Sequence, residues 1–126
     1  LTWLAEIGAH GVVAGPDASL QEQPANAIKK ACAREGIAVD DVDLFELNEA
    51  FAVQVIAFLD HFGIADDDER VNPWGGAIAL GHPLGSTGTR LITTLLNGLE
   101  TSDGRYGIAS LCIGHGQGMA TLIERL

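Results

Sequence analysis

Cysteine and basic residues are both scarce in this chain, and each shortage excludes something. There are only two cysteines in 126 residues, Cys32 and Cys112. They stand too far apart to suggest a disulfide framework, so a reducing, cytoplasmic setting is expected. Seven Lys and Arg stand against 17 Asp and Glu, a net charge of −10. Such a surface repels nucleic acid and anionic membranes. No apolar run approaches the ~18 residues of a membrane-spanning helix, and no basic-then-apolar leader opens the chain. Neither nucleic acid nor membrane is therefore expected as a partner.

What the chain does have is 47% apolar residues and 16 glycines. That suits one α/β domain with a single core and small-residue turns. It opens on Leu1, not methionine, and Leu1–Ile7 already reads as structure. An excised or incomplete fragment is the expectation, with processing as the alternative.

Leu4–Ala14 reads as a strand with a bulge or bend at its glycines. Gly15-Pro16-Asp17 breaks it. Pro24 opens a helix with Ile28, Ala31, Cys32 and Glu35 on one face, ended by Gly36. Val42–Leu47 is a short strand, and Asn48 suits the N-cap of a helix burying Phe51, Val55, Phe58, Leu59 and Phe62. Val71–Gly88 is glycine-rich and loop-like. A third helix from about Ser86 turns Leu91, Ile92, Leu95, Leu96 and Leu99 inward. Tyr106–Ile113 and Met119–Glu124 are strands, expected to pair antiparallel in a mixed sheet. Alternating strands and helices imply a layered α/β domain.

Three loops carry more than structure requires. In LNEAFA (Leu47–Ala52), Asn48 sits where a strand passes into a helix, a place where α/β folds put their sites; a simple N-cap is the plainer alternative. In NPWGGAIALGHPLGSTG (Asn72–Gly88), Pro83 restricts the backbone of His82, and flanking glycines allow close approach by a ligand; a structural hydrogen bond is the plainer role. In CIGHGQG (Cys112–Gly118), a thiol at a strand end precedes a glycine whose N–H can face a developing oxyanion; an inert strand cysteine is the plainer case. Gly114-x-Gly116-x-Gly118 mis-spaces a dinucleotide fingerprint, and GHPLGSTG lacks the lysine of a phosphate loop. Cys32, His82, Cys112 and His115 lack zinc-module spacing, so no metal is expected.

Together the three loops resemble the thiolase family. The N-E-A-F, G-H-P and C-x-G boxes of its C-terminal half stand here, in order, as Asn48–Phe51, Gly81–Pro83 and Cys112–Gly114. Gly15–Ile28 (GPDASLQEQPANAI) is also similar to the lead-in to that half in bacterial acyl-CoA thiolases.

The resemblance implies an α/β thiolase-fold half over residues 1–126, with a five-stranded mixed sheet and helices on its faces. It implies acyl transfer on coenzyme A thioesters, in fatty acid metabolism: thiolytic cleavage of 3-ketoacyl-CoA or the reverse Claisen condensation. The coenzyme A thioester is substrate, and no separate cofactor is implied. Asn48, through a bound water, and His82 would form one oxyanion hole, and His82 would help activate the nucleophile. Cys112 would be the acid/base, Gly114 a donor to a second oxyanion hole, and Ala50 and Phe51 acyl-pocket residues.

The family's nucleophilic cysteine belongs to the N-terminal half and is absent, so the chain is expected to be inactive alone. An N-terminal half or a partner subunit would complete it, in a dimer or tetramer. A non-catalytic thiolase-like binding subunit is the alternative. His115 stands where many members have a small residue, and no role is assigned to it. Because coenzyme A is a polyanion, an acidic chain leaves most phosphate contacts to be made elsewhere.

Overall fold

The computed structural model describes residues 1–17 and 19–126; Ala18, within the Gly15–Ile28 lead-in, lies outside them. Strand β1 (Ala5–Ala14) leads to helix α1 (Gln23–Glu35). Strand β2 (Leu44–Leu47) is followed by α2 (Ala52–Phe62), the single turn α3 (Ala77–Leu80) and α4 (Thr87–Ser102). Strands β3 (Tyr106–Cys112) and β4 (Gln117–Arg125) complete the chain. No helix among the described residues is long and apolar enough to cross a membrane.

The sheet order is β1-β4-β3-β2. β2 and β3 run parallel, while β4 is antiparallel to both β3 and β1. β1, β2 and β3 therefore point the same way, and the ends of β2 and β3 lie side by side at one edge of the sheet.

Side chains alternate across the strands because the pleat has period two. Phe45, Leu47, Ile108, Ala120 and Leu122 pack with Ile28, Ala31 and Cys32 of α1 and Phe58 and Leu59 of α2. Leu44, Ala109 and Ile123 face the other way, onto Leu91, Leu95 and Leu99 of α4. The result is three layers, with α1 and α2 on one face and α4 on the other.

The bulge expected in β1 is present, with a register shift between Ile7 and His10. It frees the Ala9 N–H, which donates to Glu35 of α1 at 2.5 Å. Further along, α1 lies so close to β1 that a Cβ on Gly11 would stand 2.1 Å from the Ala27 carbonyl oxygen.

Three expectations need correction. Among the described residues the sheet has four strands, not five. The fifth position is reduced to one parallel bridge between Val71 and Phe45, where Phe45 N–H donates to Arg70 O at 2.7 Å and Asn72 N–H to Phe45 O at 2.9 Å. Asn72 then takes φ 46° and Pro73 has no N–H to offer, so pairing stops there. Second, Asn48 is not a helix N-cap: α2 starts at Ala52 with Phe51 in the cap position. Phe51, expected to be buried, is 60% exposed, and Val55 and Phe62 are only half-buried. Third, Val71–Gly88 is not wholly loop, since it contains α3.

Candidate active site

The aligned ends of β2 and β3 set the site. Leu47 pairs with Ser110, and the Asn48 N–H donates to Ser110 O at 2.8 Å. The chain of Asn48 is thereby fixed two residues from Cys112 at the end of β3. Beyond Asn48 the backbone leaves the sheet because its side chains are claimed elsewhere. Glu49 accepts from Asn72 Nδ2 at 3.0 Å and from the Ile78 N–H at 2.9 Å. Asn72 in turn accepts from Leu47 N–H at 2.7 Å and donates to Leu47 O at 3.1 Å. These bonds staple the Asn48 loop to the segment that leads to His82.

His82 is exposed, between Gly81 at φ 88° and Pro83. Its Nδ1 lies 2.8 Å from Thr87 Oγ1, and its Nε2 lies 3.4 Å from Asn48 Nδ2. The tautomer follows from counting protons. The Thr87 hydroxyl has one hydrogen and donates it to Pro83 O at 2.9 Å. Its oxygen must therefore accept from His82, so Nδ1 carries the proton. Nε2 of the neutral ring then presents a lone pair, on the side of Asn48. Asn48 is 2% exposed, and its Oδ1 is buried without a partner among the described residues.

The thiol of Cys112 donates to Gln54 Oε1 of α2 at 3.6 Å. It is not hydrogen-bonded to His82 or Asn48; it joins them through the neighbouring strand ends. Gly114, His115 and Gly116 follow with φ of 78°, 50° and 73°. This left-handed run turns β3 into β4, and space beside Gly114 is open. His115 in that region is unusual for a residue with a side chain. Ala50 is half-buried in the loop before α2, next to exposed Phe51.

Cys32 is a different kind of thiol. It is buried between α1 and the sheet, and burial pushes its pKa up to about 11. A thiol that hard to ionise is a poor nucleophile.

The structure thus joins Asn48 to His82 directly and places Cys112 and Gly114 at the adjoining strand end and turn. It adds Thr87, Gln54, Asn72 and Glu49, which motif reading missed. Glu49 lies inside the N-E-A-F box and Thr87 just beyond G-H-P; their hydrogen-bonding side chains were the available signal. Below them, Glu46 is buried against Arg90. Burial raises its carboxyl to about 7, Arg90 opposes the rise and Glu49 adds to it. As chemistry, the edge offers a ring nitrogen with a fixed lone pair, an amide, a half-buried thiol and a free turn.

Comparison with known proteins gives a consistent picture. Residues 1–125 match the family model described as thiolase, C-terminal domain. The chain is 54% identical over 125 residues to a probable acetyl-CoA acetyltransferase of Mycolicibacterium smegmatis, covering 99% of this chain and 32% of that protein. It is 58% identical over 103 residues to a beta-ketoadipyl-CoA thiolase of Acinetobacter baylyi, covering 82% of this chain and 26% of that one. The crystal structure of the Bacillus anthracis acetyl-CoA acetyltransferase superposes with a TM-score of 0.91 at 39% identity, over 100% of this chain and 32% of its own. The chain therefore spans about a third of the length of these relatives or less.

Proposed function

The chain belongs to the thiolase family, as its C-terminal domain, and from that premise we propose that it supplies the acid/base and oxyanion-binding groups of an acyl-CoA acyltransferase. The reaction is cleavage of a 3-ketoacyl-CoA by coenzyme A to acyl-CoA and acetyl-CoA, or the reverse Claisen condensation. The observation that carries this reading is the His82 ring held between Thr87 and Asn48 at the sheet edge where Cys112 ends β3.

With Nδ1–H engaged by Thr87, Nε2 can take the proton of a nucleophilic thiol supplied from outside this chain. The resulting Nε2–H then donates to the thioester oxygen beside the Asn48 amide, where negative charge develops. Cys112 removes a proton from the α-carbon in condensation, and returns one to the departing carbanion in cleavage. The Gly114 N–H donates to the second thioester oxygen. Ala50 and Phe51 line the acyl pocket. The nucleophile comes from an N-terminal half or partner subunit, in a dimer or tetramer, and the isolated chain is inactive.

The test is thiolysis of acetoacetyl-CoA by the isolated chain and by the longer polypeptide that contains it. Turnover is expected only from the longer one, and Asn48→Ala or His82→Ala should lower it about 100-fold or more. A longer polypeptide that cleaves no 3-ketoacyl-CoA of any chain length contradicts the acyltransferase assignment. Turnover by the isolated chain contradicts its inactivity, and Cys32→Ala then shows whether Cys32 is the nucleophile.

A further inference from the structure

Two residues before Asn48 on β2, and three residues after Thr87 on α4, the fold buries an ion pair that the reaction above does not use. Glu46 is 1% exposed, and its Oε2 accepts from Arg90 Nη1 at 3.3 Å. Glu46 Oε1 and Arg90 Nη2 are buried with no partner among the described residues. The other ion pairs, Arg70–Asp68, Arg105–Glu124 and Arg125–Asp103, reach the surface. A buried pair joined by one contact recovers little of the cost of desolvating two charges. Stability alone does not account for it.

Its position does. Thr87 and Arg90 stand i, i+3 on α4 and so share one side of the helix. Two rungs then cross the same gap between the end of β2 and the start of α4. The inner rung is Glu46–Arg90. The outer rung is Asn48–His82–Thr87, the proposed oxyanion and proton-transfer assembly. The Asn48–His82 contact is 3.4 Å, beyond the usual span of a hydrogen bond to nitrogen. A small change in the width of the gap breaks it.

We infer that Glu46 and Arg90 are positioning residues for the thiolase reaction: they form a buried clamp that sets the separation of β2 from α4 and so holds His82 in reach of Asn48. The inference rests on the acyltransferase reading of the site.

The test uses the intact protein that carries this chain, with thiolysis kinetics and thermal midpoint measured together. Arg90→Lys keeps the charge but not the reach of the guanidinium. It should lower kcat about tenfold or more and leave KM for the 3-ketoacyl-CoA within about twofold. Glu46→Met combined with Arg90→Met removes both charges at similar volume. Its thermal midpoint should return to near the wild-type value, while kcat stays down. Recovery of kcat along with the midpoint makes the pair structural only and overturns the inference. If the double variant does not fold, Arg90→Lys decides: a wild-type kcat overturns the clamp, and the tenfold loss supports it. His82→Ala run alongside separates the two failures, because turnover that persists in that variant overturns the reading of the site itself.

Discussion

At the scale of single residues, the proposed chemistry depends on which nitrogen of His82 carries the proton. Thr87 decides this because its own hydrogen is committed to Pro83 O. Thr87→Val should therefore lower kcat of the intact protein about 10- to 100-fold, and Thr87→Ser should restore most of it. Equal activity in all three would remove Thr87 from the mechanism. The two thiols should also differ. Alkylation of the native protein followed by peptide mass spectrometry should label half-buried Cys112 and spare Cys32, whose pKa burial raises to about 11. Preferential labelling of Cys32 contradicts that.

Glu46 gives a pH prediction. Its folded pKa, about 7, lies above its ordinary 4.5 because burial outweighs the charge of Arg90, so folding favours the protonated acid at low pH and the ion pair with Arg90 forms as pH rises through about 7. The associated stability is complete below about 4.5 and is lost as pH rises through 7, on the order of 3 kcal/mol. Urea unfolding at pH 4.5 and 7.5 should show Glu46→Gln losing less stability over that interval than the parent. An equal loss in both contradicts the buried-acid account. Asn48, His82 and Cys112 could be singled out as candidates in the sequence because each stands in a motif. Thr87 and Gln54 could not, because a helix threonine or glutamine is identical in sequence whether it faces water or, as here, the His82 ring and the Cys112 thiol.

At the scale of elements, hydrophobic spacing revealed α4 and its buried Leu91, Leu95 and Leu99, and proline and glycine marked both ends of α1. The start of α2 was misplaced, because Asn48 has good N-cap chemistry. Tertiary partners outbid that propensity: His82 engages the Asn48 side chain, and Asn72 and the Ile78 N–H engage Glu49. The fifth strand failed for a related reason, since Asn72 spends its side chain on Leu47 and turns with positive φ. The contact between α1 and β1 gives its own prediction. A methyl on Gly11 meets backbone, not a movable side chain, so Gly11→Ala should cost about 1–3 kcal/mol. A thermal melt checks this, and an unchanged midpoint would show that α1 can move away.

At the scale of the whole molecule, charge and surface both point outside the chain. Four of the seven basic side chains, Arg70, Arg90, Arg105 and Arg125, are each paired with a carboxylate, so the cations left for an anionic ligand are Lys29, Lys30 and Arg34, exposed along α1. Trp3 is 83% exposed, with Leu4 and Ile7 beside it. Trp3, Leu4, Leu96 and Leu126 border a groove of about 400 Å³. An apolar patch of this kind is characteristic of interaction surfaces. That it lies on a domain about a third the length of its relatives was not legible in composition, which averages over the surface.

The central claim is that Cys112 moves the α-carbon proton at an edge completed by Asn48 and His82. Incorporation of deuterium from solvent at the α-carbon of acetyl-CoA, followed by mass spectrometry with the intact protein, tests it most directly. The parent should exchange that position, and Cys112→Ala should slow exchange about 100-fold or more with the fold retained. Exchange at the parental rate in Cys112→Ala would contradict the account.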